Sequence, residues 1–223
     1  AYRIEVLQNK HGVLIMEHVA VVADTVQKIL DVKMTWKINE DGKIEAVIEA
    51  IKDKEFPDLP RFGIRMFLNK KMDEITYFGM GPQESYRDKH QASCHGLFRS
   101  KVAQMHEDYI RPQENGSHYD CDYVELTNGQ CGIAAVSKNP FSFNASVYTQ
   151  EELERVSHNY ELKESIEWLI LGKMQQMDPS YRFIESSDAI LEQSVDDASQ
   201  NSIRESVYLL DNDENFAYRI EWK

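Results

Sequence analysis

Between Gln83 and Cys121 the chain is dense in groups that could do chemistry. Carboxyls stand at Glu84, Asp88, Glu107, Asp108 and Glu114, imidazoles at His90, His95, His106 and His118, and thiols at Cys94 and Cys121. Carboxyls act as acid, base or nucleophile only when their separation and surroundings suit the task, and spacing along a chain fixes neither. Solvated surface acids are the ordinary state of such residues. Imidazole and thiolate are good zinc ligands, but these spacings match no finger and no H-E-x-x-H helix. The sequence therefore assigns no catalytic residue and no metal ligand.

Polar groups beside turns are more informative. Gly79-Met80-Gly81-Pro82 puts two glycines before a proline. Glycines are expected there because they reach backbone angles that a side chain forbids, while proline fixes the exit direction and ends the strand. Gln83, Glu84 and Tyr86 would follow from a rigid edge, as would Gln113, Glu114 and Asn115 from the turn between Pro112 and Gly116. Amides and carboxylates held this way either tie long loops to backbone or meet a polyhydroxylated ligand.

The elements that must position them are strands. Val32, Met34, Trp36 and Ile38 alternate with polar residues, Asn39-Glu40-Asp41-Gly42 supplies a tight turn, and Ile44, Ala46 and Ile48 resume the pattern, which predicts a hairpin. Further strands are predicted over 2–7, 13–22, 61–68, 74–80, 121–126, 132–137, 141–147 and 165–171. Strands recurring about every ten residues between turn signals point to an antiparallel sandwich or barrel rather than βαβ units. One short helix is expected after Thr149, which can cap it ahead of Glu151 and Glu152. The stretch 86–117 reads as long ordered connections, and 178–204 as a variable insertion or mobile loop. A closing hairpin is expected from 206–210, a turn at 211–215 and 216–222, and with it the C-terminus is expected to be the true end of the protein.

Composition narrows the function class. With 38 acidic and 25 basic residues the formal charge is -13, which repels a phosphate backbone and leaves a neutral sugar unpenalised. Three cysteines without a C-x-x-C pair suggest neither a disulfide framework nor a zinc knuckle, and fit a reducing compartment. No apolar run reaches the roughly 20 residues that span a bilayer, and the first residues lack a signal-peptide layout, so a cytoplasmic location is expected. At 223 residues with 42% apolar content, one large β domain, 1–223, is the leading domain count.

Three collinear blocks carry a resemblance. Tyr77-Phe78-Gly79-Met80-Gly81-Pro82-Gln83-Glu84-Ser85-Tyr86 with Asp88, then Tyr109-Ile110-Arg111-Pro112-Gln113-Glu114-Asn115-Gly116, then Phe141-Ser142-Phe143-Asn144-Ala145-Ser146 with Tyr148, Thr149, Leu153 and His158 together resemble the C-terminal, small-chain domain of glycoside hydrolase family 2 β-galactosidases. The resemblance implies a large β-sandwich of the supersandwich, galactose-mutarotase-like kind, mostly antiparallel. In that family the motifs shape the domain, and the acid/base and nucleophile carboxyls lie about 5 Å apart on a (β/α)8 barrel. The implied partners are that barrel or large chain and a galactoside such as lactose, with magnesium and sodium held by the catalytic part and an oligomeric parent enzyme. Against the family the chain reads as N-terminally incomplete. A family glycine-rich loop near the sugar is replaced by Lys173 to Tyr181, leaving Tyr181 as the aromatic that could stack on galactose. Tyr181, Glu84, Gln113, Glu114, Asn115 and His118 are the candidate substrate-binding residues. Two alternatives stay open. One is a free-standing carbohydrate-binding or aldose-epimerase-like sandwich using His90, His118 and Glu114; the other is a purely structural oligomerisation domain.

Overall fold

A computed structural model describes residues 3–22, 27–53, 55–56, 61–165, 168–176, 200–209 and 219–222, the last three segments as backbone. In chain order the strands are β1 (Arg3–Asn9), β2 (Gly12–Val22), β3 (Lys28–Asn39), β4 (Lys43–Lys52), β5 (Arg61–Asn69), β6 (Glu74–Gly81), β7 (Cys94–Lys101), β8 (Ser117–Thr127), β9 (Gly132–Ser146), β10 (Trp168–Gln176), β11 (Gln200–Leu209) and β12 (Arg219–Trp222). One α-helix, α1 (Gln150–Arg155), follows β9. Among the described residues the antiparallel β class and the single short helix expected from sequence hold, consistent with a β-sandwich. The residues fall into two compact units.

The first unit holds β1 to β4, β11 and residues 135–137. Its strands lie in the order β1-β2-β3-β4-β11. The expected hairpin forms: Trp36 pairs with Ala46 and Met34 with Ile48 across β3 and β4. Leu30, Val32, Met34 and Trp36 are buried along one face with Ile44, Ala46, Ile48 and Ala50, while Lys33 and Lys37 are exposed on the other. A two-residue side-chain period on a pleated strand requires this outcome. Each large side chain so covered stabilises by about 1.5–3 kcal/mol. At the turn Gly42 has φ 81°, a left-handed conformation that glycine adopts freely, and its N–H donates to the Asn39 carbonyl at 3.1 Å.

In the second unit β6 lies between β7 and β8. β9 pairs first with β8 and later with β10, β10 pairs with β5, and β5 with β12. Ile75, Tyr77, Val124, Leu126, Phe141 and Phe143 fill its core. The helix starts as expected, Thr149 Oγ1 accepting the Glu152 N–H at 3.1 Å.

Four sequence expectations are corrected. The strands expected at 132–137 and 141–147 are one continuous β9, because Pro140 is exposed and proline is tolerated where the ladder needs no N–H. Residues 94–101, read as loop, form β7; only Gly96, Phe98 and Ser100 are part-covered, so the alternation that marks a half-buried strand is faint. Among the described residues the two arms of the expected closing hairpin do not pair with each other: β11 pairs with β4 and β12 with β5, and 210–218 lie outside the described residues. Alternation identifies a strand but not the edge whose backbone groups it will satisfy. Lys173 to Gln176, expected in a loop, continue β10 against β5, and 177–199 lie outside the described residues.

Candidate functional site

β6 ends at Gly81, and a cis peptide bond joins it to Pro82. The glycines before this turn serve a different purpose from the one expected. Neither has a left-handed φ; instead a Cβ on Gly79 would overlap Cys121 Sγ, and one on Gly81 would overlap the Tyr77 hydroxyl. Close approach, rather than unusual backbone angles, requires glycine at both positions.

Beyond the turn the chain meets the 109–119 segment, and Glu84 is the knot. Glu84 is 8% exposed, and its carboxylate accepts four donors. Oε1 takes Lys89 Nζ at 2.5 Å and the Tyr109 hydroxyl, while Oε2 takes the Gly116 N–H at 2.9 Å and the Tyr86 hydroxyl at 3.3 Å. A carboxylate offers about four lone-pair sites, so Glu84 is saturated within the chain. Burial opposes its charge, but the bonds from Lys89, Tyr109 and Gly116 outweigh burial and hold the carboxyl below its ordinary range. Hydrogen bonds to Glu84 and Tyr109 raise Lys89 correspondingly.

Neighbouring bonds fasten the same two segments. Ser85 N–H donates to the Ser117 carbonyl at 2.7 Å, and Ser85 Oγ accepts the Tyr119 N–H at 2.9 Å while donating to the Met80 carbonyl at 3.1 Å. Asn115 is buried; its Oδ1 accepts the Glu107 N–H and its Nδ2 donates to the Gln113 carbonyl, both at 2.9 Å. Asn144 of β9 donates to the Asn115 carbonyl. Gly116 has φ 70°, and a Cβ there would overlap the Met105 carbonyl.

His118 lies beneath this knot, 2% exposed, its ring 4.4 Å from Tyr77 and 5.2 Å from Phe143. Nδ1 lies 3.0 Å from the Met80 carbonyl. A carbonyl only accepts, so that nitrogen carries the proton. Burial lowers the imidazole to about 4, so it is neutral near pH 7.

The structure thus gathers Glu84, Asn115 and His118 into one buried assembly. Gln113 is exposed and Glu114 half-buried on the turn above them. His90 Nδ1 donates to the Tyr86 carbonyl at 2.9 Å and its ring stacks on Tyr119. Tyr181 lies outside the described residues. Among the described residues no three of His, Cys, Asp and Glu gather in a way that could hold a metal ion. Sequence reasoning missed Lys89 and Ser85 as partners. Their only signal is nearness to Glu84, which says nothing about which way a side chain turns.

A family model for the β-galactosidase small chain matches residues 2–177. This chain belongs to that family. The β-galactosidase of Actinobacillus pleuropneumoniae is 43% identical over 165 residues, 74% of this chain and 16% of that protein. That of Staphylococcus xylosus is 33% identical over 154 residues, 69% of this chain and 16% of that protein. The small-chain sequence therefore spans 16% of the length of these curated relatives. Among solved structures, galactose 1-epimerase from Lactobacillus acidophilus NCFM gives a TM-score of 0.45 at 6% identity, over 98% of this chain and 66% of that one. No helix among the described residues is long and apolar enough to cross a membrane.

Proposed function

We propose that this chain is the supporting part of a β-galactosidase: it braces and partly shapes a galactoside-binding site whose bond-breaking carboxyls belong to the catalytic remainder of the enzyme. The saturated state of Glu84 carries this reading. A general acid or base must exchange a proton with its substrate at hydrogen-bond range. Glu84 has its lone pairs occupied by Lys89, Tyr109, Tyr86 and Gly116, and a carboxyl held below its ordinary range is a poor acid at neutral pH. His118 is enclosed by Tyr77 and Phe143 with one ring nitrogen committed to backbone. Such groups set the shape of a loop rather than transfer protons. Gln113 and Glu114, on the turn that they brace, are the residues that reach toward the sugar, with terminal β-galactosides such as lactose as the substrates. Magnesium and sodium act in the catalytic part. The three free cysteines suit a reducing, cytoplasmic setting.

The test is a pair of assays with a chromogenic galactoside. The purified chain alone is expected to give no turnover. Added to the A. pleuropneumoniae enzyme from which the matching residues have been removed, it is expected to restore hydrolysis. Turnover by the chain alone, at a rate that survives repurification, would overturn the proposal.

A further inference from the structure

β1 stands at the end of the strand order in the first unit and, among the described residues, pairs only with β2. Its outer edge is a row of backbone donors and acceptors, a ready template for another strand, and folded proteins ordinarily blunt such edges with proline, bulges or inward charges. β1 has none of these along Arg3-Ile4-Glu5-Val6-Leu7-Gln8-Asn9; an exposed ion pair between Arg3 and Glu5 is its charged feature. The β1/β2 register is unbroken from Arg3↔His18 to Asn9↔Gly12.

The side chains say the same. Directly opposed residues in an antiparallel ladder share a face. One cross-strand row runs Val6, Ile15, Trp36, Ala46, and the next runs Ile4, Glu17, Met34, Ile48. Burial is nearly complete at the β3 and β4 end, where Met34 and Ile48 are 1% exposed, and falls away at the other, where Ile4 and Val6 are each 58% exposed. Leu7, on the opposite face beside Leu14, is also exposed. The apolar surface outruns its cover at a strand that, among the described residues, is paired along one edge only.

Building on the reading above, we propose that the β1 edge is the docking edge for the catalytic remainder of the enzyme. An extended segment of that remainder, with alternating apolar side chains, adds as a strand beside β1 and covers Ile4 and Val6. The relatives point to this occupant, because this chain spans only 16% of their length and the polypeptide to be docked is large. A second copy at the same edge is the competing occupant, and the test separates the two.

The test titrates the chain into the truncated A. pleuropneumoniae enzyme and compares wild type with Val6→Lys and Ile4→Lys. Both positions are more than half exposed, so lysine leaves the isolated chain folded, which circular dichroism and thermal melting verify. The expected result is a loss of apparent affinity of about tenfold or more for each variant, with β1 amides protected from hydrogen exchange in the wild-type complex. Equal restoration by wild type and both variants, or β1 amides that exchange freely in an active complex, would refute the docking edge and leave the supporting role intact. Failure of wild type itself to restore activity would count against both. A dimer of the isolated chain that Val6→Lys dissociates would assign the edge to a second copy and overturn the proposal.

Discussion

Acidification from pH 7.5 to 5.0 should cost this chain about 2 kcal/mol through His118 alone, a value set by the two states of one imidazole. Unfolded, the ring takes a proton near 6.5; folded, burial among Tyr77 and Phe143 delays protonation to about 4. Between these values the unfolded state holds the extra proton, so stability falls as pH falls. At pH 5.0 the unfolded ring is protonated roughly thirty to one and the folded ring only about one in ten, a ratio worth about 2 kcal/mol. At pH 7.5 the same ratio is close to unity. The assay is urea unfolding followed by circular dichroism at pH 7.5, 6.5, 5.5 and 5.0, for wild type and His118→Gln. Glutamine lowers stability by a roughly constant amount, because it packs less well on the aromatic rings and does not titrate. The quantity to read is the difference in pH slope between the two proteins. Slopes that agree within about 0.5 kcal/mol over this range would show that His118 is not buried in neutral form, and the enclosed-imidazole argument would fail.

Two further substitutions test the knot above it. Glu84→Gln should cost about 1–3 kcal/mol, since an amide nitrogen would face a donor in place of a lone pair, and should expose the 106–118 segment to limited proteolysis while leaving the helix and the β3/β4 hairpin protected. Unchanged melting and unchanged cleavage would remove Glu84 from its bracing role. Gly116→Ala should cost about 2 kcal/mol or more, because φ 70° is strained for alanine and its Cβ meets the Met105 carbonyl, which is backbone and cannot rotate away. Thermal melting checks this, and a shift within about 1 °C of wild type would mean the turn has another conformation.

Sequence alone settled the class of this protein and much of its local structure. Alternation over Val32 to Ile48 fixed the β3/β4 hairpin, because in a pleated strand a side chain's face follows from parity. Thr149 fixed the helix start because an N-cap is a local bond. The motifs around Glu84 and Asn115 were visible as rigid turns, and three blocks in order pointed to the family that residues 2–177 match. What the tertiary structure alone decided was partnership. β11 and β12 follow one another in sequence yet satisfy the edges of β4 and β5, a choice set by which backbone groups remain unmet once the sheets assemble. Gly79 and Gly81 owe their identity to Cys121 and Tyr77 rather than to their own φ. Glu84 was legible as a polar group on a rigid edge that could tie a loop or meet a sugar, but its partners were not. Only the folded chain surrounds it with Lys89, Tyr109, Tyr86 and the Gly116 amide, because hydrogen bonding depends on direction and distance, and neither is written in the order of residues.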